Sequence, residues 1–296
     1  MNKPEKDLLA DITVVEPPTT FAGVRASTKA RRAWLRGFPV CAALGQHQIA
    51  HVGLADGIFR VVRQKQSSTY FLACYGGEGR VWVDGRWRRC RAGTACLLPP
   101  HIRNAFHTAP RQTWQFCWVC YMQPPEQRTV LASSSPVMAK FDPLPLRHAI
   151  EGLRDECRGA AAPEMAHHWV ELIQSYVLRF ARPWQTHERL ATLWDQVAAN
   201  LAADWSLPKL ARLAGCSPEH LRRLCHQQLG RSPKHHVIHL RMRRAAELLS
   251  TTREKVEHVA QLVGYGNPFV FSTTFKKWYG WSPSRYGQRR QGTTGA

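Results

Sequence analysis

The sequence predicts an α+β chain in two parts: an N-terminal β-barrel with a helical pair, followed by an all-α domain that carries two helix-turn-helix motifs. Three observations predict it. From about Ile49 to Met122, short strand-like runs are separated by turn signals with no helical stretch between them. From Leu146 to Phe180, apolar residues recur at helical spacing. From Leu207 to Pro283, one chain pattern occurs twice, about fifty residues apart.

A chain of 296 residues can bury two ordinary cores, and 44% hydrophobic residues is the composition of a folded protein. The net charge of +20 calls for an anionic partner. Residues 187–296 hold 17 Lys and Arg against 7 Asp and Glu, so about half of the excess sits in the all-α part, where double-stranded DNA is the expected partner. No run approaches the roughly eighteen apolar residues of a membrane helix. Met1 to Thr20 carries charges and prolines rather than a signal-peptide core. A cytoplasmic protein without membrane contact is expected. Nine cysteines without paired spacing suggest reduced thiols. Cys117-Trp118-Val119-Cys120 has CxxC spacing, but it lies in a strand-like run where residues three apart face opposite sides, so core cysteines are expected rather than a metal or redox site.

Residues 1–30 are polar and weakly periodic, and read as an arm ahead of a barrel-and-helix domain at 31–181. Strands are expected at Ile58–Val62, Tyr70–Tyr75, Gly79–Val83, Trp87–Cys90, Thr94–Leu98 and Trp114–Tyr121. Asp84-Gly85, between two apolar runs, is a strong two-residue hairpin signal. Most of the many aromatic residues here must be core. A minority could line a pocket, with Trp82, Arg103, Trp114, Phe116 and Trp118 the candidates. An aromatic face stacks on the apolar face of a sugar, which makes a sugar or sugar acid the expected effector. The basic run Arg86 to Arg91 reads as a solvated strand edge, or alternatively as a seat for an anionic effector or for DNA. His47 and His51 have no acidic neighbours in sequence and read as surface or loop histidines.

Helical stripes follow. Leu146, Ala149, Ile150, Leu153 and Cys157 mark one, and Trp169, Leu172, Ile173, Tyr176, Val177 and Phe180 mark a second that could cover the barrel or join two subunits. Residues 182–186 read as the linker, and 187–290 as the DNA-binding domain. In the first motif, Ala211 supplies the small residue at the helix crossing, Gly215 the turn, and Ser217-Pro218 an N-cap with proline at the first helical position. Ala260, Gly264 and Asn267-Pro268 repeat this, and both copies leave through Gly-x-Ser-Pro, at 230–233 and 280–283. Leu221, Leu224 and Cys225 take the buried face of the first recognition helix, so Glu219, His220, Arg222, Arg223 and His226 should face DNA. In the second, the exposed candidates are Phe269, Ser272, Thr273, Lys276 and Lys277.

The segments Leu210 to Pro233, Leu240 to Leu249 and Val263 to Tyr286 resemble the DNA-binding domain of the AraC/XylS family of bacterial transcription regulators. The segment Gly77 to Gly85, with Ala92-Gly93-Thr94 and Leu97 to Pro100, resembles the cupin-type barrel that precedes it in that family. The resemblance implies a regulator, expected to be an activator that works with RNA polymerase, dimerises and answers to a small-molecule effector, and it assigns effector binding and dimerisation to the domain at 31–181. It puts base contacts at Glu219, Arg222 and Arg223. Three positions depart from the family pattern: Cys225 stands where phenylalanine is usual, His236 where an aromatic is usual, and Thr273 where an arginine is common. Enzymatic cupins hold a metal through a His-x-His pair, a Glu and a later His; here the pair is missing and Asn104 stands at the later position, so no metal, cofactor or catalytic residue is expected. Two readings stay open beside this one: a regulator controlled only by its abundance, and a cupin-type enzyme with a DNA-binding tail.

Overall fold

The computed structural model describes residues 11–288 except 30–31, 64–66, 123–129, 133–134, 136, 160–161 and 183–187. Most of the expected linker therefore lies outside the described residues. Eight strands form one sheet: β1 (Ile12–Arg25), β2 (Ile49–Arg63), β3 (Thr69–Val83), β4 (Arg86–Arg91), β5 (Thr94–Leu98), β6 (Asn104–Thr108), β7 (Trp114–Tyr121) and β8 (Met138–Lys140).

Closure comes from the two long strands. β2 pairs with β7 through its first half and with β6 through its last four residues, and β3 pairs with β7 through its first half and with β6 through Gly79, Arg80 and Val81. The ring β2-β6-β3-β7 is thus closed, which removes its edges. One apolar cluster fills the lumen, including Phe59, Tyr70, Phe106, Phe116 and Trp118. A second lies between the outer face of the sheet and two helices, α1 (Leu144–Arg158) and α2 (Pro163–Ala181). Cys117 belongs to the outer cluster and Cys120 to the lumen, as strand alternation requires.

Several expectations are corrected. The arm is not free of structure: from Ile12 it pairs with β2 as an edge strand, in a register that slips between Glu16 and Thr20, where Pro17 and Pro18 cannot donate to the ladder. Its first half is largely exposed, Val14 and Val15 included, because only one edge of it meets the barrel. The two runs expected at Tyr70–Tyr75 and Gly79–Val83 are one bent strand, since Gly76-Gly77 turns the chain without ending it. β6 and β8 were not expected, being too short and too polar for an alternation signal. His47 is paired with Glu171 of α2 at 2.9 Å, and His51 is buried in the barrel. Sequence distance concealed both.

The second apolar stripe splits in two. Val170, Ile173, Val177 and Phe180 bury against the sheet. Met165 and Leu172 are exposed and Trp169 and Tyr176 half-buried, and these four share a different face, at spacings of four, three and four. α2 therefore serves the intramolecular core with one face and leaves an apolar stripe on another.

The all-α part comprises α3 (Glu188–Ala199), α4 (Leu207–Leu213), α5 (Pro218–Leu229), α6 (Pro233–Thr251), α7 (Val256–Leu262), α8 (Pro268–Tyr279) and α9 (Pro283–Gln288). α4-α5 and α7-α8 are the two helix-turn-helix units, each with its own core, joined by α6.

Candidate nucleic-acid interface and effector pocket

Each recognition helix starts where the local chemistry dictates. Ser217 Oγ accepts from the His220 N–H at 3.2 Å, and Asn267 Oδ1 accepts from Phe269 and Val270 at 2.8 and 3.3 Å, with proline next in both chains. At the second turn Gly264 has φ of 81°, and a Cβ there would stand 2.6 Å from the Leu201 carbonyl oxygen, so only glycine fits. Ala211 and Ala260 are buried at the crossings.

The two helices present equivalent faces. Glu219, His220, Arg222, Arg223 and His226 are exposed on α5; Phe269, Thr273, Lys276 and Lys277 are exposed on α8, while Ser272 is half-buried. Leu221, Cys225 and Leu229 turn inward on α5, as Phe271, Phe275 and Tyr279 do on α8. Cys225 and His236 fit their departures by packing: both are fully buried, and the His236 ring stands edge-on to Trp194 with centroids 4.5 Å apart. Arg222 is paired with Glu219 at 2.8 Å, and Arg223 meets His220 at 3.2 Å. Such exposed pairs contribute little and can be exchanged for DNA. Phe269 is 82% exposed and Val270 54%, an apolar pair at a helix start that the expected list included only in part. A surface pair of this kind suits thymine methyl groups. Lys276→Ala should weaken binding to all sequences alike and lower the salt slope by about one phosphate contact; a changed sequence preference with an unchanged slope would contradict that role.

The expected effector residues divide. Phe116 and Trp118 line a cavity of about 50 Å³ inside the barrel, together with His51, Arg63, Tyr70 and Trp34 among others. Trp114 is fully buried beside it, its Nε1 donating to Cys74 Sγ at 3.2 Å. Trp82 and Arg103 lie elsewhere, at the junction with the all-α domain, the reader of the expected DNA. In the cavity His51 Nδ1 accepts from Trp118 Nε1 at 2.9 Å. Burial, aided by Arg32 and Arg63, lowers the His51 pKa to about 3, so the ring is neutral.

The β3-β4 hairpin reaches the reader. Asp84 and Gly85 both have positive φ, 54° and 75°, as the predicted tight turn requires. The Asp84 carboxylate, 4% exposed, lies 3.2 Å from Arg231 Nη1 and 3.5 Å from His239 Nδ1. Burial by itself would raise its pKa, but Arg231 and His239 hold it well below the usual carboxylate range. Burial and Arg231 lower His239 to about 3, so it is a neutral dipole beside the ion pair. Trp82 Nε1 donates to the Trp278 carbonyl at 3.2 Å, and Tyr286 OH donates to the His101 carbonyl. Both Gly-x-Ser-Pro exits are docking points: a Cβ on Gly230 would meet the Met138 carbonyl oxygen at 2.6 Å, and one on Gly280 would strike Arg103. The basic run is mainly an edge strand. β4 pairs only with β3, Arg89 forks onto Glu78 at 2.6–2.9 Å, and Arg88 turns toward Gly230.

His51 and His239 stay neutral when folded but titrate normally when unfolded, so the unfolded chain binds more protons below about pH 6.5 and stability is lost as pH falls through that range. Urea melts at about pH 7.5 and about pH 5 should differ by roughly 2 kcal/mol per histidine. An unchanged pH slope in His239→Gln would refute its share.

The helix-turn-helix domain family matches residues 210–289, and the AraC-like ligand binding domain family matches residues 60–214. The MmsAB operon regulatory protein of Pseudomonas aeruginosa is 30% identical over 256 residues, covering 80% of this chain and 81% of its own length. The HTH-type transcriptional activator RhaR of Pectobacterium carotovorum is 29% identical over 152 residues, 49% of this chain and 53% of the relative. Among solved structures, the C-terminal domain of AraT from Geobacillus stearothermophilus is 31% identical, with a TM-score of 0.35 over 38% of this chain and 93% of that one. The relatives are transcriptional regulators rather than enzymes. No helix among the described residues is long and apolar enough to cross a membrane.

Proposed function

The chain belongs to the AraC family of DNA-binding transcriptional regulators, and from that premise we propose a cytoplasmic, homodimeric activator that reads one operator with both helix-turn-helix motifs and answers to a small effector in the barrel. The observation that carries the reading is the pair of equivalent, solvent-facing recognition surfaces on α5 and α8, opposite matched buried faces. Selection of the full-length protein on random DNA should enrich two half-sites about one helical turn, roughly 10 bp, apart. Enrichment of no sequence would end the proposal.

β3 supports effector control. Its start, Tyr70 and Leu72, lines the cavity, and its end carries Trp82 and Asp84 into the reader. A ligand acts through such a link only if it binds one domain arrangement better; a tenfold change in operator affinity needs about 1.4 kcal/mol of differential binding. A small-molecule effector would occupy this cavity, whose largely apolar wall suits a sugar or sugar acid less well than the aromatic content of the sequence suggested. Activation, the role in RhaR's name, would be exerted on RNA polymerase. Met165 and Leu172, exposed beside the half-buried Trp169 and Tyr176, support a subunit contact through α2. Leu172→Glu should turn a dimer into a monomer in sedimentation velocity, and an unaffected dimer would remove that face from the assignment.

A further inference from the structure

The barrel cavity has a charge imbalance that narrows its ligand. Arg63 closes β2 and points into the lumen, its guanidinium 4.6 Å from the Tyr70 ring centroid and 5.9 Å from that of Phe106. Its Nε and Nη1 are buried and meet no acceptor among the described residues. Arg32 adds a second cation to the same wall, and His51 is neutral there. No Asp or Glu lines the cavity among the described residues; Asp11, whose field reaches Arg63, is exposed at the foot of β1. Asn104 stands directly across from Arg63 in the β2-β6 ladder, so the two side chains leave the same face. It is fully buried, and both its Oδ1 and Nδ2 meet no partner among the described residues. The rest of the wall is mostly aromatic or aliphatic: Phe21, Trp34, Phe59, Val61, Phe116 and Trp118.

We infer that the lumen binds a short monocarboxylate with an apolar or aromatic body, its carboxylate held by Arg63, beside which Asn104 stands just off the cavity wall. This rests on the effector reading above and names the ligand's class. Two guanidinium nitrogens buried without an acceptor are costly in an otherwise half-buried side chain, and a carboxylate removes that cost with charge-assisted hydrogen bonds, while the apolar body meets rings and not water. A neutral sugar would leave the charge unanswered and set its hydroxyls against apolar walls. A doubly charged phosphate would carry a larger desolvation cost and would set its remaining oxygens against a mostly apolar wall. The free volume of about 50 Å³ is smaller than that of an occupied ligand pocket, so the wall must give way for a ligand to seat. Trp34 closes its side, stacked on Phe21 with centroids 5.0 Å apart, and is the group that entry would displace.

The test is a fluorescence and calorimetric titration of the full-length protein with benzoate and hexanoate, against benzamide, hexanamide and glucose. The acids should bind at least about tenfold tighter than their amides, with a change in tryptophan emission. In Arg63→Met that preference should vanish, while operator binding without ligand persists. The wild-type comparison of acid with amide needs no variant, so misfolding of Arg63→Met would not blunt it. Equal binding of acids and amides, binding of glucose alone, or no binding by either acid overturns the inference. Loss of sequence-selective DNA binding by the wild-type chain would instead strike the regulator reading.

Discussion

Asp84→Asn should part the barrel from the reader. Asparagine tolerates the positive φ of the turn, so the hairpin keeps its shape while the charge disappears. Arg231 is then left buried opposite a neutral amide, and removing one partner of a buried ion pair costs about 3–5 kcal/mol. The loss falls on the junction, because neither domain's core depends on this pair. The pair is poorly compensated even when intact: Nη1 stands 3.2 Å from the carboxylate without an aligned hydrogen bond, and Nε and Nη2 have no acceptor among the described residues. Small-angle scattering should show a longer molecule, and heating should resolve two transitions where the wild type has one. Arg231→Met combined with Asp84→Asn should recover much of the loss, since the pair then leaves no buried charge without a partner. Unchanged dimensions and melting in Asp84→Asn would show that the hairpin does not hold the domains together.

Arg222→Ala and Arg223→Ala, separately, should each cost about 1–3 kcal/mol of affinity for the selected operator and relax preference at one base pair. Both side chains project from the exposed face of α5, and the partners they have now, Glu219 and His220, are on the same helix and equally exposed. Breaking those pairs takes little, and a guanidinium in the major groove can meet guanine O6 and N7 together. Binding to random DNA should fall much less. Competition titrations with operator and random duplexes measure both numbers, and equal losses on the two would mean that the arginines touch phosphate, not bases. Loss of function on the second motif should look different, because Phe269 and Val270 offer methyl contacts and no fork of donors.

The helix-turn-helix units were legible because their signals are local. A small residue, a turn glycine, a capped start and a buried face all lie within about a dozen residues, and each has a steric or hydrogen-bonding cause that does not depend on the rest of the chain. The Asp84-Gly85 turn was legible for the same reason. The candidate effector residues were half legible. Alternation correctly put Phe116 and Trp118 on one face, but it could not say which aromatics the lumen would collect. Trp82 and Arg103 went to the domain junction instead.

The sequence by itself determined two domains, the order of barrel and reader, the duplicated motif and the faces of its recognition helices, since periodicity and caps act within a single element. Only the tertiary structure decided what Asp84, Arg63 and His51 do. Asp84 looks like a turn residue and nothing more until the hairpin brings it to Arg231 and His239, about 150 residues further along the chain. Arg63 looks like one surface arginine among many until ring closure turns the end of β2 inward beside Asn104. Charge and burial at these positions are set by what another element places opposite them, and a one-residue change of register would have sent the same side chains to solvent.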